Sequence, residues 1–125
     1  MKQEMAAIYC RLSVEDREKE QEESESIRNQ RALLLEYAAK QGWLVYDIYA
    51  DEDYSGLRED RPEFQRMLQD AEKGRFSVIL CKTQSRFTRN AVTAEYYLHG
   101  KFPLWGIRFV TAVDLVVGLL LSKNS

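Results

Sequence analysis

The chain has 125 residues, of which 45% are hydrophobic and 30% charged, with only 6 Gly and 2 Pro. That is the length of one domain with enough apolar content for a single core, and it excludes collagen-like, low-complexity and wholly disordered chains. The formal net charge of −2 hides two opposed regions: residues 15–25 carry seven acids against two bases, whereas residues 73–90 carry Lys73, Arg75, Lys82, Arg86 and Arg89 with no acid. A local basic patch can bind phosphate even on an acidic chain. The isoelectric point near 5.5 argues against tight gripping of DNA by this chain alone.

Cys10 and Cys81 are the two cysteines, both in apolar runs. They read as core thiols of a reducing compartment, too few for a disulfide scaffold. No long apolar stretch follows Met1, so no secretory leader is expected. The most apolar segment, Leu115 to Leu121, has seven residues, far short of the roughly 20 needed to span a bilayer. The expectation is a soluble, cytoplasmic protein with no membrane attachment.

In chain order, Met5 to Cys10 is a nearly continuous apolar run and reads as a buried parallel strand ending in Arg11-Leu12-Ser13. The acidic stretch 15–25 lacks apolar periodicity and reads as a solvated loop. A helix is predicted from Ser24 or Ser26, either able to cap it, with Ile27, Leu34 and Ala38 on one face and Gly42 as its stop. Trp43 to Ala50 reads as a second strand, and Asp51-Glu52-Asp53-Tyr54-Ser55-Gly56 as an acidic, solvated turn. Pro62 suits a first helical turn; Phe64, Met67, Leu68 and Ala71 supply an apolar face closed by Gly74. Phe76 to Cys81 is a third buried strand and Lys82 to Asn90 a polar, basic loop. A further helix is predicted over Ala91 to about Lys101, then a turn bracketed by Pro103 and Gly106, then a fourth strand over Ile107 to Val113.

Strand and helix alternate throughout. The predicted fold is therefore α/β, with a mostly parallel sheet of four or five strands and helices on both faces. In such folds chemistry collects at the carboxyl ends of the strands. One edge then gathers Arg11 and Ser13, the 51–56 loop, and Lys82, Ser85, Arg86 and Arg89. Ser13 follows Arg11 by two residues, so both project the same way if the strand continues that far. A hydroxyl beside a guanidinium suggests an oxygen nucleophile aimed at an anion; an ordinary strand-end serine is the plainer alternative. Arg86 and Arg89 share a face if helical, and paired guanidiniums match phosphate oxygens. Gln30 lies on the buried stripe of its helix and needs a hydrogen-bond partner there.

Other chemistries find no support. His99 is the lone histidine and reads as a surface residue, so a Ser-His-Asp triad is not expected. There is no zinc-ligand spacing and no Gly-rich phosphate loop. Asp51, Glu52 and Asp53 read as a solvated turn before a cation site. A receiver-like signalling domain would want paired acids directly after the first strand, where Arg11-Leu12-Ser13 stands.

Taken together, YCRLS at 9–13, SIRNQ at 26–30, DYSG at 53–56, DRPEFQRML at 60–68 and KTQSRFTRN at 82–90 resemble the catalytic domain of serine recombinases. This is the resolvase/invertase superfamily, and its large-serine-recombinase branch in particular. The resemblance runs over residues 5–114, with the motifs in order and spacing. It implies a resolvase-like fold and a site-specific DNA recombinase that cleaves and rejoins DNA through a 5′-phosphoserine intermediate, without metal or cofactor. By resemblance, Ser13 is the nucleophile and Arg11 contacts the scissile phosphate. Arg86 and Arg89 activate the serine and stabilise the transition state, and Gln30 and Arg61 complete the site. Ser55, Ser85 and Lys82 fall at substrate-binding positions, Ser85 where small resolvases often carry aspartate. The partners implied are the DNA backbone and further copies of the chain, as a dimer or tetramer.

The resemblance stops near Asp114. The family continues into a long helix for dimer contact and DNA binding, and large members add a recombinase domain and a zinc-bearing DNA-binding domain. Residues 115–125 do not match that continuation. The expected division is a catalytic domain over 1–114 and an atypical tail over 115–125. A truncated, non-catalytic remnant serving as an interaction or regulatory module is the alternative function.

Overall fold

The computed structural model describes residues 3–13 and 26–113. The acidic stretch 15–25, the alternative cap Ser24 and the tail 115–125 lie outside the described residues. Strand β1 (Met5–Leu12) is followed by α1 (Ile27–Gln41), β2 (Leu44–Glu52), α2 (Pro62–Glu72), β3 (Val78–Cys81), the single turn α3 (Gln84–Phe87) and α4 (Ala91–Ala94). From α4 the chain winds on as a π-helix over Glu95–Lys101 into α5 (Phe102–Trp105), and then enters β4 (Arg108–Thr111). The strands form one sheet in the order β2-β1-β3-β4, every neighbouring pair parallel. The predicted α/β class and parallel sheet are therefore what the molecule has.

Local signals explain the boundaries. Ser26 caps α1, its Oγ accepting from Asn29 N at 2.9 Å. Gly42 ends α1 in the left-handed region at φ 77°, where a Cβ would be strained. Pro62 occupies the first turn of α2, where its missing N–H costs nothing. β1 as far as Cys10 and the whole of β3 are apolar because both of their faces are covered. On one face Ile8, Cys10 and Leu80 pack under Leu34 and Ala38 of α1. On the other, Ala7, Tyr9, Ile79 and Cys81 pack against Phe64 and Met67 of α2, with Phe87 and Phe102. Both thiols are buried, and burial pushes Cys10 up to about 12 and Cys81 in the same direction. Among the described residues no helix is long and apolar enough to cross a membrane.

Three local readings need correction. Lys82 to Asn90 is not wholly loop: Gln84–Phe87 form a helical turn that begins after Thr83. The last helix does not stop at Lys101, and Pro103 lies within its final turn; only Gly106, left-handed at φ 71°, ends it. Proline is tolerated there because the preceding winding is π-helical, with Phe102 N bonded to Tyr97 O five residues back. Wider winding moves the carbonyl that the ring would otherwise strike. Finally, β2 runs on to Glu52, so Asp51 belongs to a strand and is buried rather than solvated.

Candidate active site

The sheet order places the topological switch point between β1 and β3, the strands that lead to Ser13 and to the basic segment 82–89. β1 ends at Leu12, so Ser13 is one residue past the ladder and the strand's alternation no longer sets its direction. The backbone around it is fixed from two sides. Gln30, reaching from α1, donates its Nε2 to Arg11 O at 2.9 Å and accepts from Arg11 N at 3.2 Å. Asp53 N donates to Leu12 O at 2.7 Å. Asp53 makes that bond at φ 70°, a left-handed conformation that aspartate tolerates better than most residues. The buried amide predicted to need a partner thus finds both a donor and an acceptor in the backbone of Arg11, two residues before Ser13.

Arg11 is fully buried. Its guanidinium donates to three main-chain carbonyls: Nε to Arg86 O at 3.2 Å, Nη2 to Ser85 O at 2.7 Å and Nη1 to Tyr54 O at 3.2 Å. One side chain therefore ties the ends of β1 and β3 to the turn after β2. Arg61 is also fully buried, donating from Nε to Arg58 O at 2.6 Å and from Nη1 to Phe87 O at 2.8 Å. Arg86 is nearly buried, at 7% exposure. α3 ends at Phe87 and Thr88 is extended, so Arg86 and Arg89 do not share a helical face. Arg89 and Ser85 are exposed and Lys82 is half-buried. Ser55 is a turn residue: its Oγ accepts from Leu57 N at 3.1 Å. His99 is exposed and its Nδ1 lies 2.7 Å from Glu95 Oε2, as expected of a surface residue.

Two features of the site escaped the sequence reading. The first is Gly56. Its carbonyl accepts from Arg89 N at 2.9 Å and Thr88 Oγ1 at 3.2 Å. A methyl group on its Cα would lie 2.6 Å from Arg89 Cγ and 2.8 and 2.9 Å from Nη2 and Cζ of Arg11. Those distances are inside van der Waals contact. Arg89 can swing away, but Arg11 is held by its carbonyls. Gly56→Ala is expected to cost about 1–3 kcal/mol in a chemical melt through overpacking. Any reaction that uses this edge should slow roughly 100-fold, because displacement on the ångström scale is that costly to catalysis.

The second is the hydrogen bonding of Asp51 and Tyr9. Asp51 Oδ1 accepts from Glu63 N at 3.0 Å and Oδ2 from Phe64 N at 2.9 Å, capping α2. Oδ2 also accepts from Tyr9 OH at 2.7 Å. A carboxylate preceding a Pro-initiated helix by about ten residues was the available signal, but helix capping from so far back in the sequence has no fixed spacing. Burial raises the Tyr9 phenol far above its ordinary 10.0. The folded state thus keeps a proton that the unfolded state releases above pH 10. Stability from Tyr9 is fully present below that pH and is expected to fall by about 1.4 kcal/mol per pH unit above it. Urea melts between pH 9 and 11, with phenolate absorbance followed in parallel, check this. Ionisation of Tyr9 before the unfolding transition would contradict it.

The protein is thus an α/β domain whose parallel sheet presents a serine and a cluster of arginines at its switch point. The family model for the resolvase N-terminal domain matches residues 6–115, and the chain belongs to that family, the serine recombinases. A putative DNA recombinase of Bacillus subtilis (strain 168) is 34% identical over 85 residues, covering 68% of this chain and 16% of the relative. The chain therefore aligns with only a small part of that relative's length. The N-terminal catalytic domain of TP901-1 integrase superposes with a TM-score of 0.77 at 29% identity, over 96% of this chain and 93% of that one. The C-terminal catalytic domain of ISC1926 TnpA, an IS607-like serine recombinase, gives a TM-score of 0.73 at 24% identity over 95% and 77%. A resolvase family site-specific recombinase from Streptococcus pneumoniae gives 0.70 at 21% over 98% and 86%. The last two show the shared fold alone.

Proposed function

We propose that this chain is the catalytic domain of a cytoplasmic, site-specific DNA recombinase that cleaves and rejoins DNA through Ser13. In the forward step Ser13 Oγ loses its proton and bonds to the phosphorus of a DNA phosphodiester. The bond from phosphorus to the 3′ oxygen breaks, and that oxygen takes up a proton. The 5′ phosphate remains on Ser13. Attack by the 3′ hydroxyl of another strand reverses each change and restores the serine. One phosphoester replaces another, so no external energy source is needed. Negative charge develops on the equatorial oxygens during both steps, and fixed guanidinium groups offset it. Arg89, Arg86 and Lys82 carry that role, Arg89 and Lys82 from accessible positions and Arg86 from a buried one, with Ser85 and Ser55 beside them. Arg11, Gln30 and Arg61 hold the backbone that presents them.

The observation that carries this reading is the triple hydrogen bonding of Arg11. It brings the nucleophile's strand end and the arginine-bearing segment to one edge. The same reading gives the DNA backbone as substrate and a dimer or tetramer of a longer protein as the working assembly. Val92, Tyr96 and Leu104, exposed together along the last helical segment, suit the latter.

The test is covalent capture. The chain is mixed with a random-sequence duplex pool, stopped with denaturant, digested with nuclease and protease, and mapped by mass spectrometry. The expected product is the Ser13 peptide carrying a 5′-linked nucleotide. Attachment at another residue overturns the assignment of Ser13, and no adduct across the pool overturns the proposal and favours the non-catalytic remnant.

A further inference from the structure

The turn after β2 carries a guanidinium that the proposed chemistry does not use. Arg58 donates from Nε to Asp60 Oδ1 at 2.9 Å and from Nη2 to Oδ2 at 2.6 Å. Both side chains are exposed, at 55% and 66%. The backbone that carries Arg58 is held at both of its polar groups. Its N–H donates to Ser55 O at 3.2 Å, and its carbonyl accepts from Arg61 Nε at 2.6 Å. Its guanidinium carbon lies 5.4 Å from the centre of the Tyr54 ring. The same turn is fastened to the candidate active site: Tyr54 O accepts from Arg11 Nη1 and Gly56 O from Arg89 N.

An exposed ion pair two residues apart is a weak device for stability, because it is screened by salt and must order both side chains. What this pair does is fix the direction of a planar fork and fill it. Two parallel N–H bonds to two coplanar oxygens are the geometry in which arginine takes carboxylate and phosphate alike. Asp60 thus occupies the place of an anion. The pairing holds its carboxyl below the ordinary 3.8, so at neutral pH the fork is filled by a charged group. An occupant held so weakly is one that a phosphate, itself attracted by Arg89 and Lys82, can displace.

We propose that Arg58 is a further contact for the DNA backbone and that Asp60 is its built-in competitor. In the free domain the carboxylate fills the fork; on DNA a phosphate other than the one attacked by Ser13 takes its place. The domain's hold on DNA is then set lower than its arginines would allow. The proposal rests on the recombinase reading for the identity of the anion, and on the geometry of the pair for the exchange.

The test is a double-mutant cycle on the 125-residue chain with Asp60→Asn, Arg58→Ala and both together. Binding of a fluorescent random-sequence duplex is followed by anisotropy between about 50 and 200 mM salt. All three variants should melt within about 2 °C of the parent, since exposed substitutions cost little. Asp60→Asn is expected to tighten binding about threefold, the size of an exposed ion pair that no longer has to be broken. It should also steepen the dependence of log affinity on log salt by about 0.9, one more phosphate being neutralised without a freed carboxylate. In the Arg58→Ala background the same substitution should change affinity by no more than about 1.5-fold and leave the slope unaltered, because there is no fork to release.

Equal gains in both backgrounds would trace the effect to lost negative charge alone and overturn the contact. So would an Asp60→Asn chain that binds no more tightly than the parent. Formation of the Ser13 adduct is scored separately on the same proteins. An adduct in the parent with equal gains in the cycle leaves the recombinase reading in place and removes Arg58 from it. The expected cycle without any adduct keeps the contact, and the recombinase reading is then what fails.

Discussion

Replacing Ser13 with alanine is expected to abolish covalent attachment to DNA and to leave the domain folded. The side chain is small and nearly buried, and loss of one hydroxyl costs about 1 kcal/mol of stability. The backbone at this point is held by neighbours that the substitution does not touch: Gln30 on Arg11, and Asp53 N on Leu12 O. Lys82, Arg86 and Arg89 remain in place, so DNA affinity should change no more than about twofold, the electrostatic share of binding being intact. The reaction has no other route, because the nucleophilic atom is gone and arginine cannot replace it. Adduct yield should fall to background, a drop of at least about 10⁴-fold. Thermal melting, DNA binding and adduct mass spectrometry on the same preparation check the three parts. Persistence of the adduct in Ser13→Ala would move the nucleophile elsewhere, with the exposed hydroxyl of Ser85 the first place to look.

The second large effect separates arginines that make the site from arginines that serve it. Arg11→Ala is expected to destabilise the domain by about 3–5 kcal/mol. It strips the carbonyls of Tyr54, Ser85 and Arg86 of their charged donor and empties a fully buried volume. For a domain whose whole stability is on the order of 5–15 kcal/mol, the melting temperature should drop by about 10 °C or more. Arg89→Ala is expected to do the reverse. Arg89 is exposed, so stability should stay within about 0.5 kcal/mol. The rate of DNA cleavage should fall about 10²–10³-fold, the usual loss when a donor to transition-state charge is removed. Urea melts and single-turnover cleavage on both variants decide the matter. Equal stability losses would mean that Arg11 is less embedded than its hydrogen bonds indicate.

How much of this was legible beforehand depends on the range of the interaction involved. β1 and β3 were visible as nearly continuous apolar runs, at Met5–Cys10 and Phe76–Cys81, because strands covered on both faces leave no room for alternation. α1 and α2 were visible through Ser26, Gly42 and Pro62, whose effects reach only a residue or four along the chain. The helical turn at Gln84–Phe87 was hidden because a single turn carries no periodicity and its residues are mostly polar. Pro103 pointed to a turn because proline normally breaks a helix. The π-helical winding before it removed the clash, and no sequence rule marks that winding.

For the site, residue identity was readable and residue placement was not. Ser13, Gln30, Arg11, Arg61, Arg86 and Arg89 were all nominated from motifs, spacing or family resemblance. Their chemistry follows from their side chains, and alternating strands and helices already brought their segments to one edge of a parallel sheet. The amino-acid sequence by itself determined the fold class, the order of elements, the family and the set of polar groups available. Only the tertiary structure decided that Arg11 and Arg61 point inward to carbonyls while Arg89 faces outward. It also decided that Asp51 caps a helix through amides 12 and 13 residues on, that Tyr9 links Asp51 to Arg61, and that Gly56 must lack a side chain. The reason is physical. Burial and hydrogen-bond partners are properties of surfaces brought together from distant parts of the chain, with Arg11 and Arg86 75 residues apart. Local propensity carries no term for a neighbour at that separation.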